Sequence, residues 1–214
     1  MSSPHLRDAT TADLDALAAV AAEALSTLPL WTELIPEQDR RREVMAAVYR
    51  GLFADALARG GRVRLAEDSQ GVSAVALWSS PGNWRPSTLR GLQALPGMVR
   101  VLGLRGTLRL LRVSGRGSAV AVTSHPSEPH WYLAVVATAD RSRGQGLGTL
   151  LMEDGLAHVD AHRMPAYLEC EPHLEDWYRR FGFGVRQVLE IPEGILDGAV
   201  PGHQLGMWRI PSHA

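Results

Sequence analysis

The sequence contains no lysine, since all 22 of its basic residues are arginine. With 23 acidic residues, the formal net charge is −1 at pH 7. Such a balance provides no overall attraction to nucleic acid or to an anionic membrane. The arginine bias accompanies abundant alanine and glycine. We interpret it as the coding bias of a GC-rich bacterial genome.

Cysteine and long apolar runs are also scarce. Cys170 is the only cysteine, so no disulfide can form within the chain. No segment approaches the ~20 apolar residues of a membrane-spanning helix, and no signal-like segment stands at the N-terminus. We therefore expect a cytoplasmic protein without a membrane partner. A chain of 214 residues fits one domain, 1–214.

The N-terminal half alternates between strand-like and helix-like patterns. A capping box at Thr10 and Asp13 predicts the start of a helix that Pro29 ends. A second helix is predicted from about Glu37 to Arg59, where glycines follow. The predicted strands are Leu6 to Ala9, Val63 to Glu67 and Val72 to Trp78.

A glycine-rich turn past the middle of the chain is the most informative segment. It joins a strand-like run, Trp131 to Ala137, to a helix-like run from about Leu147 to His162. The N–H groups at a helix N-terminus carry partial positive charge, and glycines leave them uncovered, which suits a phosphate. We expect residues 143–148 to bind a phosphate-bearing cofactor.

The residues around these glycines argue against two common phosphate motifs. A P-loop needs Lys and then Ser or Thr after its last glycine, whereas Leu147 follows Gly146 and Thr149 follows Gly148. A dinucleotide fingerprint that starts at Gly144 would need glycine at position 149, and its first strand should lie near the N-terminus. On this segment alone, a glycine-rich turn without a ligand stays open.

The pattern that remains, Arg-x-x-Gly-x-Gly from Arg143 to Gly148, resembles the acyl-CoA pyrophosphate loop of the GCN5-related N-acetyltransferases (GNAT). The following elements keep that family's order. They are a helix, the short strand Ala166 to Glu169, a helix with Tyr178, and the turn Phe181-Gly182-Phe183. Residues 130–210 carry the core motifs and look most similar to the puromycin N-acetyltransferase branch.

The resemblance implies a mixed α/β fold, the GNAT fold. Its central sheet is mostly antiparallel, splays at the cofactor cleft and is flanked by helices. An arginine- and leucine-rich segment at about 81–127 is predicted to form a helical insert. We interpret the insert as leucines packed on the sheet beneath exposed arginines. There are two alternatives. The insert could cover the acceptor pocket, or it could bind a membrane surface or a partner protein.

The resemblance also implies that acetyl-CoA is the cofactor. Main-chain groups of Val135, Val136 and Ala137 would contact its pantetheine arm, because the strand before the loop splays from the next strand in this family. The implied loop contacts come from Arg141, Arg143, Gly144, Gln145, Gly146, Leu147, Gly148 and Thr149. A metal is not expected, because the cluster of Glu171, His173 and Glu175 is interrupted by Pro172 and lacks a second group of ligands.

Acyl transfer from a thioester to an amine needs a proton for the departing thiolate and a base for the ammonium. By resemblance the proton donor is Tyr178, since a phenol of pKa ~10 stays protonated at neutral pH. We take Glu169 as the catalytic base, with His130, Glu128 and Glu33 as alternatives.

The connection between the first two predicted helices, Leu30 to Ile35, is too apolar for an ordinary exposed loop. In the family this connection borders the acceptor site. Trp31 and Glu33 are therefore candidate substrate contacts, with simple packing as the alternative.

These features predict an acetyl-CoA-dependent N-acetyltransferase. We expect direct transfer through a ternary complex to a primary amine of a small molecule, for example an antibiotic-like or aminonucleoside compound. Two other interpretations stay open: a non-catalytic acyl-CoA-binding regulatory module, and an acetyltransferase that acts on a protein or peptide amine. Either a monomer or a homodimer is compatible with the sequence, and nucleic acid is not expected as a partner.

Overall fold

The structure is a computed structural model that describes residues 4–85, 87, 95, 99–100, 102–112, 125–190 and 203–211. The side chains of Leu30 and Glu33 fall outside this description, as does about half of the predicted insert at 81–127. The substrate contact predicted for the Glu33 side chain therefore lies outside the described residues.

The described residues form a seven-stranded sheet with the strand order β1-β2-β3-β4-β5-β7-β6. All its described pairings are antiparallel except the parallel pair β4–β5. The mixed, mostly antiparallel sheet of the prediction is thereby confirmed. The strands are β1 (His5–Asp8), β2 (Arg62–Asp68), β3 (Gly71–Ser79), β4 (Trp131–Thr138), β5 (Ala166–Cys170), β6 (Gly184–Glu190) and β7 (His203–Arg209).

Helices cover both faces of the sheet. They are α1 (Leu14–Leu25), α2 (Pro29–Leu34), α3 (Gln38–Ala58), α4 (Leu147–Ala161) and α5 (Glu175–Arg179). Leu65 and Leu77 pack in one core with α1 and α3, whereas Ala76 and Trp78 pack in another with α4. Because successive strand residues point to opposite faces, the two cores lie on opposite sides of the sheet. None of the described helices is long and apolar enough to cross a membrane.

The predicted capping box is present and caps a 3₁₀ turn, Thr11–Asp13, that leads directly into α1. The Asp13 carboxylate accepts hydrogen bonds from the Thr10 backbone N–H at 2.7 Å and the Thr10 hydroxyl at 2.9 Å. The end of the helix differs, because α1 already stops at Leu25. Pro29 instead begins α2, where its fixed φ and missing N–H suit the first helical turn. The apolar connection of the prediction is thus largely helical.

The described part of the insert contains a helical stretch at residues 102–112, here called the insert helix. Its packing corrects the prediction that the insert leucines cover the sheet. Leu110 and Leu102 join a small core with Leu34 and Val44 of α2 and α3. Three other leucines of the insert helix, Leu104, Leu108 and Leu111, are exposed.

Strands β4 and β5 diverge, as predicted. Their described pairing joins Trp131, Tyr132 and Leu133 to Ala166, Tyr167 and Leu168. β4 nevertheless continues to Thr138, and β5 continues to Cys170. The pairing of β4 with β3 also shifts at this point, because Trp78 faces Leu133 and Leu77 faces Val135, which leaves Ala134 as a bulge. A cleft therefore opens between the two strands just past Leu133.

Candidate active site

The glycine-rich loop leads from the open end of β4 into α4. Gly144 and Gly146 have φ angles of 76° and 79°, which favour glycine, and Gly146 is the N-cap of α4. A Cβ at either glycine would meet nothing within 4 Å. The first N–H groups of an α-helix have no acceptor within the helix. This loop therefore presents backbone donors beside open space, which fits a pyrophosphate.

The Arg141 side chain is held by the turn between β2 and β3. Its guanidinium donates to the Asp68 carboxylate at 2.8 Å and the Ser73 hydroxyl at 3.0 Å. It also donates to the carbonyls of Gly71 and Val72 at 3.3 and 3.1 Å. These bonds fasten the loop to the turn. Because the guanidinium is engaged in these bonds, we expect Arg141 to contact the cofactor through its main chain, and this contact remains a prediction.

The Arg141–Asp68 pair has a measurable consequence for acid stability. Hydrogen bonds from Arg141, and then from Ser73, lower the pKa of Asp68 from 3.8 to about 2. A lowered folded-state pKa stabilises the protein above pH 3.8, and this contribution disappears as the pH falls toward 2. In Arg141→Gln we expect the pKa of Asp68 to rise and acid unfolding to begin at a higher pH. Carboxyl ¹³C NMR titration, together with pH-dependent unfolding, measures both effects.

Arg143→Gln is the matched control, because Arg143 lies on the same loop and pairs with Asp140 at 2.9 Å. It should leave the pKa of Asp68 unchanged. An unaltered Asp68 titration in Arg141→Gln would contradict the assignment.

Some of the other predicted cofactor residues have buried side chains, and others are exposed at the edge of the loop. Leu147, Val135 and Ala137 have buried side chains, so these residues can offer a ligand only their main chain. Arg143 is exposed at the rim, and its guanidinium also lies 3.4 Å from the Ala24 carbonyl oxygen. A Cβ at Gly148 would lie 3.5 Å from the Trp177 ring, so this part of the loop is close to α5.

Tyr178 on α5 packs in the core beneath the diverging strands. Its neighbours there include Leu168, Cys170 and Phe183. Burial raises the pKa of the Tyr178 phenol well above its ordinary value, so the phenol keeps its proton at neutral pH. Burial also raises the pKa of Cys170 to about 12. The Cys170 thiol is thus a poor nucleophile, which agrees with direct transfer rather than an acyl-cysteine.

Two of the predicted base candidates, His130 and Glu169, come together on the opposite face of β5, whereas the Glu128 carboxylate pairs with Arg186 at 2.7 Å. The His130 Nε2 atom lies 2.9 Å from the His125 Nε2 atom, and His130 Nδ1 lies 2.6 Å from the Glu128 carbonyl oxygen. The His125 Nδ1 atom in turn lies 3.8 Å from Glu169 Oε1. The Tyr167 hydroxyl donates to the same Glu169 oxygen at 3.3 Å. We call His125, His130, Tyr167 and Glu169 the histidine cluster.

His125 and Tyr167 are the members of the histidine cluster that were not predicted from the sequence as site residues, and His125 is the one nearest to Glu169 from outside β5. Its ring stacks on Trp84 with 3.7 Å between centroids, and its side chain is 2% exposed. No motif or periodicity marks this histidine in the sequence. Only the fold places it beside Glu169, 44 positions along the chain.

Trp31 lies between two cores. Its ring centroid is 6.5 Å from that of Tyr49, and it packs against both the α1–α3 core and the small core around Leu110. The insert helix approaches α2 and α3 here and leaves a groove between them. Its lining includes Ile35, Glu37, Arg40, Arg105 and Arg109. The structure thus gives Trp31 a packing role between the two cores, and its substrate contact remains a prediction.

Comparison with known proteins gives a consistent assignment. Residues 105–183 match the family model described as acetyltransferase (GNAT) family. A Corynebacterium glutamicum protein named "histone acetyltransferase HPA2 and related acetyltransferase" is 29% identical, with a TM-score of 0.69, over 100% of this chain and 99% of that one. The chain carries a GNAT acetyltransferase domain and has the GNAT fold. GNAT enzymes use acetyl-CoA, so this protein is an acetyltransferase with acetyl-CoA as its cofactor.

Two further solved structures share the GNAT fold at lower identity. A phosphinothricin acetyltransferase from Sinorhizobium meliloti, in complex with AcCoA, is 15% identical with a TM-score of 0.57, over 98% of this chain and 89% of that one. A ribosomal-protein-alanine N-acetyltransferase from Brucella melitensis is 18% identical with a TM-score of 0.57, over 96% of this chain and 99% of that one. The likeness to the puromycin N-acetyltransferase branch stays a prediction.

Proposed function

We propose that this GNAT enzyme transfers an acetyl group from acetyl-CoA directly to a primary amine of a small molecule. The observation that carries the proposal is the cleft between β4 and β5, with a proton donor and a proton acceptor on its two faces. Leu168 and Cys170 pack with Tyr178 on one face of β5. Tyr167 and Glu169 alternate with them and point to the other face.

We assign cofactor binding, proton donation and attraction of the acceptor to different residues of the chain. Backbone N–H groups of residues 143–149 hold the pyrophosphate, and main-chain groups of residues 135–137 along the open edge of β4 orient the pantetheine arm. Bound acetyl-CoA supplies an activated acetyl thioester. Tyr178 keeps a proton at Oη for the departing thiolate, and Glu169 attracts the acceptor's ammonium group. We propose one catalytic domain, 1–214, with Trp31 bordering the acceptor site.

Restricted access on the acceptor side favours a small molecule. The Glu169 side chain is 18% exposed and that of His125 is 2% exposed, with aromatic rings around them. Side chains with so little exposure suit a short alkylamine better than a bulky acceptor. Peptide amines are the second candidate, because two of the similar proteins are named for histone or ribosomal-protein acetylation.

Acetyl-CoA titration followed by a screen of acceptors tests the proposal. Calorimetry should show acetyl-CoA binding, and thiol release should then be stimulated by one of puromycin, phosphinothricin or other small primary amines. Release only with a peptide that begins with alanine would overturn the small-molecule proposal in favour of a peptide acceptor. Binding without release from any amine would overturn the proposed transfer.

Tyr178→Phe should lower kcat by about 100-fold, because it removes the proton donor and keeps the ring. Acetyl-CoA affinity should stay within about twofold, since the phenol acts on the departing thiolate. Stopped assays of thiol release, combined with calorimetry, separate the two effects. Tyr49→Phe removes another buried tyrosine hydroxyl, within the α1–α3 core, and should retain activity. Equal kcat values for Tyr178→Phe and the wild type would refute the assigned role.

A further inference from the structure

The hydrogen bonds of the histidine cluster determine where its protons lie. A backbone carbonyl only accepts, so the contact with the Glu128 oxygen requires a proton on His130 Nδ1. Burial lowers the pKa of His130, which keeps this ring neutral. Its Nε2 atom must then accept, and the His125 Nε2 atom 2.9 Å away must donate. A neutral His125 consequently has its lone pair on Nδ1.

The lone pair of His125 Nδ1 faces the Glu169 carboxylate across 3.8 Å. His125 Nδ1 and Glu169 Oε1 are both acceptors, and they are too far apart to hydrogen-bond to each other. A nitrogen that carries two N–H groups could therefore lie in the place between them and donate to both. The place lies at the cleft, because Glu169 directly follows Leu168, the last residue of β5 paired with β4. The Tyr167 hydroxyl donates to Glu169 from within the sheet, and Gln187 donates to that hydroxyl at 3.1 Å. These bonds hold the carboxylate toward His125.

The charged and titratable groups around His125 favour a cation at this place. The rings of Tyr132 and Tyr167 stand nearly perpendicular to the His125 ring, at 5.1 and 4.9 Å between centroids, and carry no charge. Arg186, the arginine beyond His130, is paired with the Glu128 carboxylate at 2.7 Å. Within the described residues, the acidic side chain that faces His125 Nδ1 is Glu169. A protonated His125 would form an ion pair with it.

We infer that His125 Nδ1 and Glu169 Oε1 together bind the ammonium group of the acceptor, and that His125 takes its proton. This inference rests on the proposed function and adds His125 to the catalytic residues. One N–H bond of the ammonium breaks as Nδ1–H forms, which frees the nitrogen lone pair for attack on the acetyl carbon. The imidazolium then returns its proton to solvent past the exposed edge of Glu169. The C–N bond forms as the C–S bond breaks, Tyr178 gives its proton to the departing thiolate, and the second proton lost by the nitrogen restores the Tyr178 phenol by way of solvent.

The proton arrangement can be measured on the free protein. Long-range ¹⁵N–¹H NMR at neutral pH should show His130 protonated at Nδ1 and His125 protonated at Nε2. Protonation of neutral His125 at Nδ1 would overturn the inference, because no lone pair would then face Glu169. Neither result depends on turnover or on knowing the acceptor.

The catalytic role is tested with His125→Gln and the fastest acceptor from the screen that is a simple alkylamine. At pH 7 we expect kcat/KM to fall by about 100-fold. The deficit should shrink about tenfold per pH unit toward the pKa of an alkylammonium, about 10, because the acceptor then arrives already neutral. A purely structural role predicts the same deficit at every pH.

His5→Gln is the matched control, since His5 is exposed on the outer strand β1 and should leave the profile unchanged. A pH-independent deficit, or full activity of His125→Gln at pH 7, would overturn the inference while the proposed function stands. If the wild type releases no thiol with any amine, the proposed function itself fails. If His125→Gln does not fold, the ¹⁵N measurement on the wild type decides.

Discussion

Gly146→Glu is expected to weaken acetyl-CoA binding by at least about 100-fold, equivalent to about 2.7 kcal/mol. Gly146 is the N-cap of α4 and has a φ angle of 79°. A glutamate there puts a carboxylate where the helix N-terminus would otherwise attract the cofactor's phosphates. It also covers N–H groups that glycine leaves open. Calorimetric titration with acetyl-CoA measures the loss.

Backbone strain alone must be separated from this effect. A left-handed conformation costs a non-glycine residue about 1 kcal/mol, and this strain lowers stability without necessarily touching the ligand. Gly60→Glu provides the control, because Gly60 has a φ angle of 74° and, like Gly146, would place its Cβ in open space. Gly60 follows α3 and is outside the loop. We expect Gly60→Glu to bind acetyl-CoA like the wild type, whereas similar affinities of both variants would remove the glycine loop as the phosphate site.

Gly155→Ala should destabilise the fold by about 2 kcal/mol or more. Gly155 lies where α4 crosses β3, and a Cβ there would come within 2.2 Å of Trp78 Nε1 and 2.7 Å of Trp78 Cε2. The Trp78 ring is fully buried among Leu151, Met152 and their neighbours, so α4 must move away from the sheet. Overpacking of this kind costs about 1–3 kcal/mol and occasionally more. Denaturant unfolding measures the change.

A glycine-to-alanine substitution at Gly51 should instead raise the stability of the fold. Gly51 lies in the interior of α3, is exposed, and would meet nothing within 4 Å of an added Cβ. Alanine there should stabilise the helix by about 0.5–1 kcal/mol. If Gly155→Ala and Gly51→Ala shift the unfolding midpoint alike, helix α4 does not rest on Trp78 as described.

Loss of stability in Gly155→Ala would also reach the site, because α4 carries the glycine loop at its N-terminus. Trp78 is paired with Leu133, beside the Ala134 bulge where the cleft opens. A displaced α4 should therefore weaken acetyl-CoA binding as well. Gly51→Ala should leave it unchanged.

Local sequence patterns predicted the elements around the cofactor closely. The apolar run from Trp131 predicted β4 to within one residue at its end, and the predicted helix at Leu147 matches α4. Helices and strands of this kind are indicated by the spacing of apolar residues and by the glycines that end them. Both signals lie within a few neighbouring residues, so these elements could be predicted from the sequence alone. The segment 30–35 was harder, because a six-residue helix shows too few turns for a period and draws its stability from packing.

The sequence by itself determined the superfamily, the cofactor class and the order of the elements from β4 to α5, because these depend on motifs close together in residues 130–183. Tertiary structure alone decided that Arg141 is fastened to Asp68, 73 positions away, and that His125 meets His130 and Glu169. It also decided that the insert helix packs on α2 and α3. Such contacts depend on how strands pair and helices pack. They join side chains that are far apart in the chain, so no local sequence pattern predicts them.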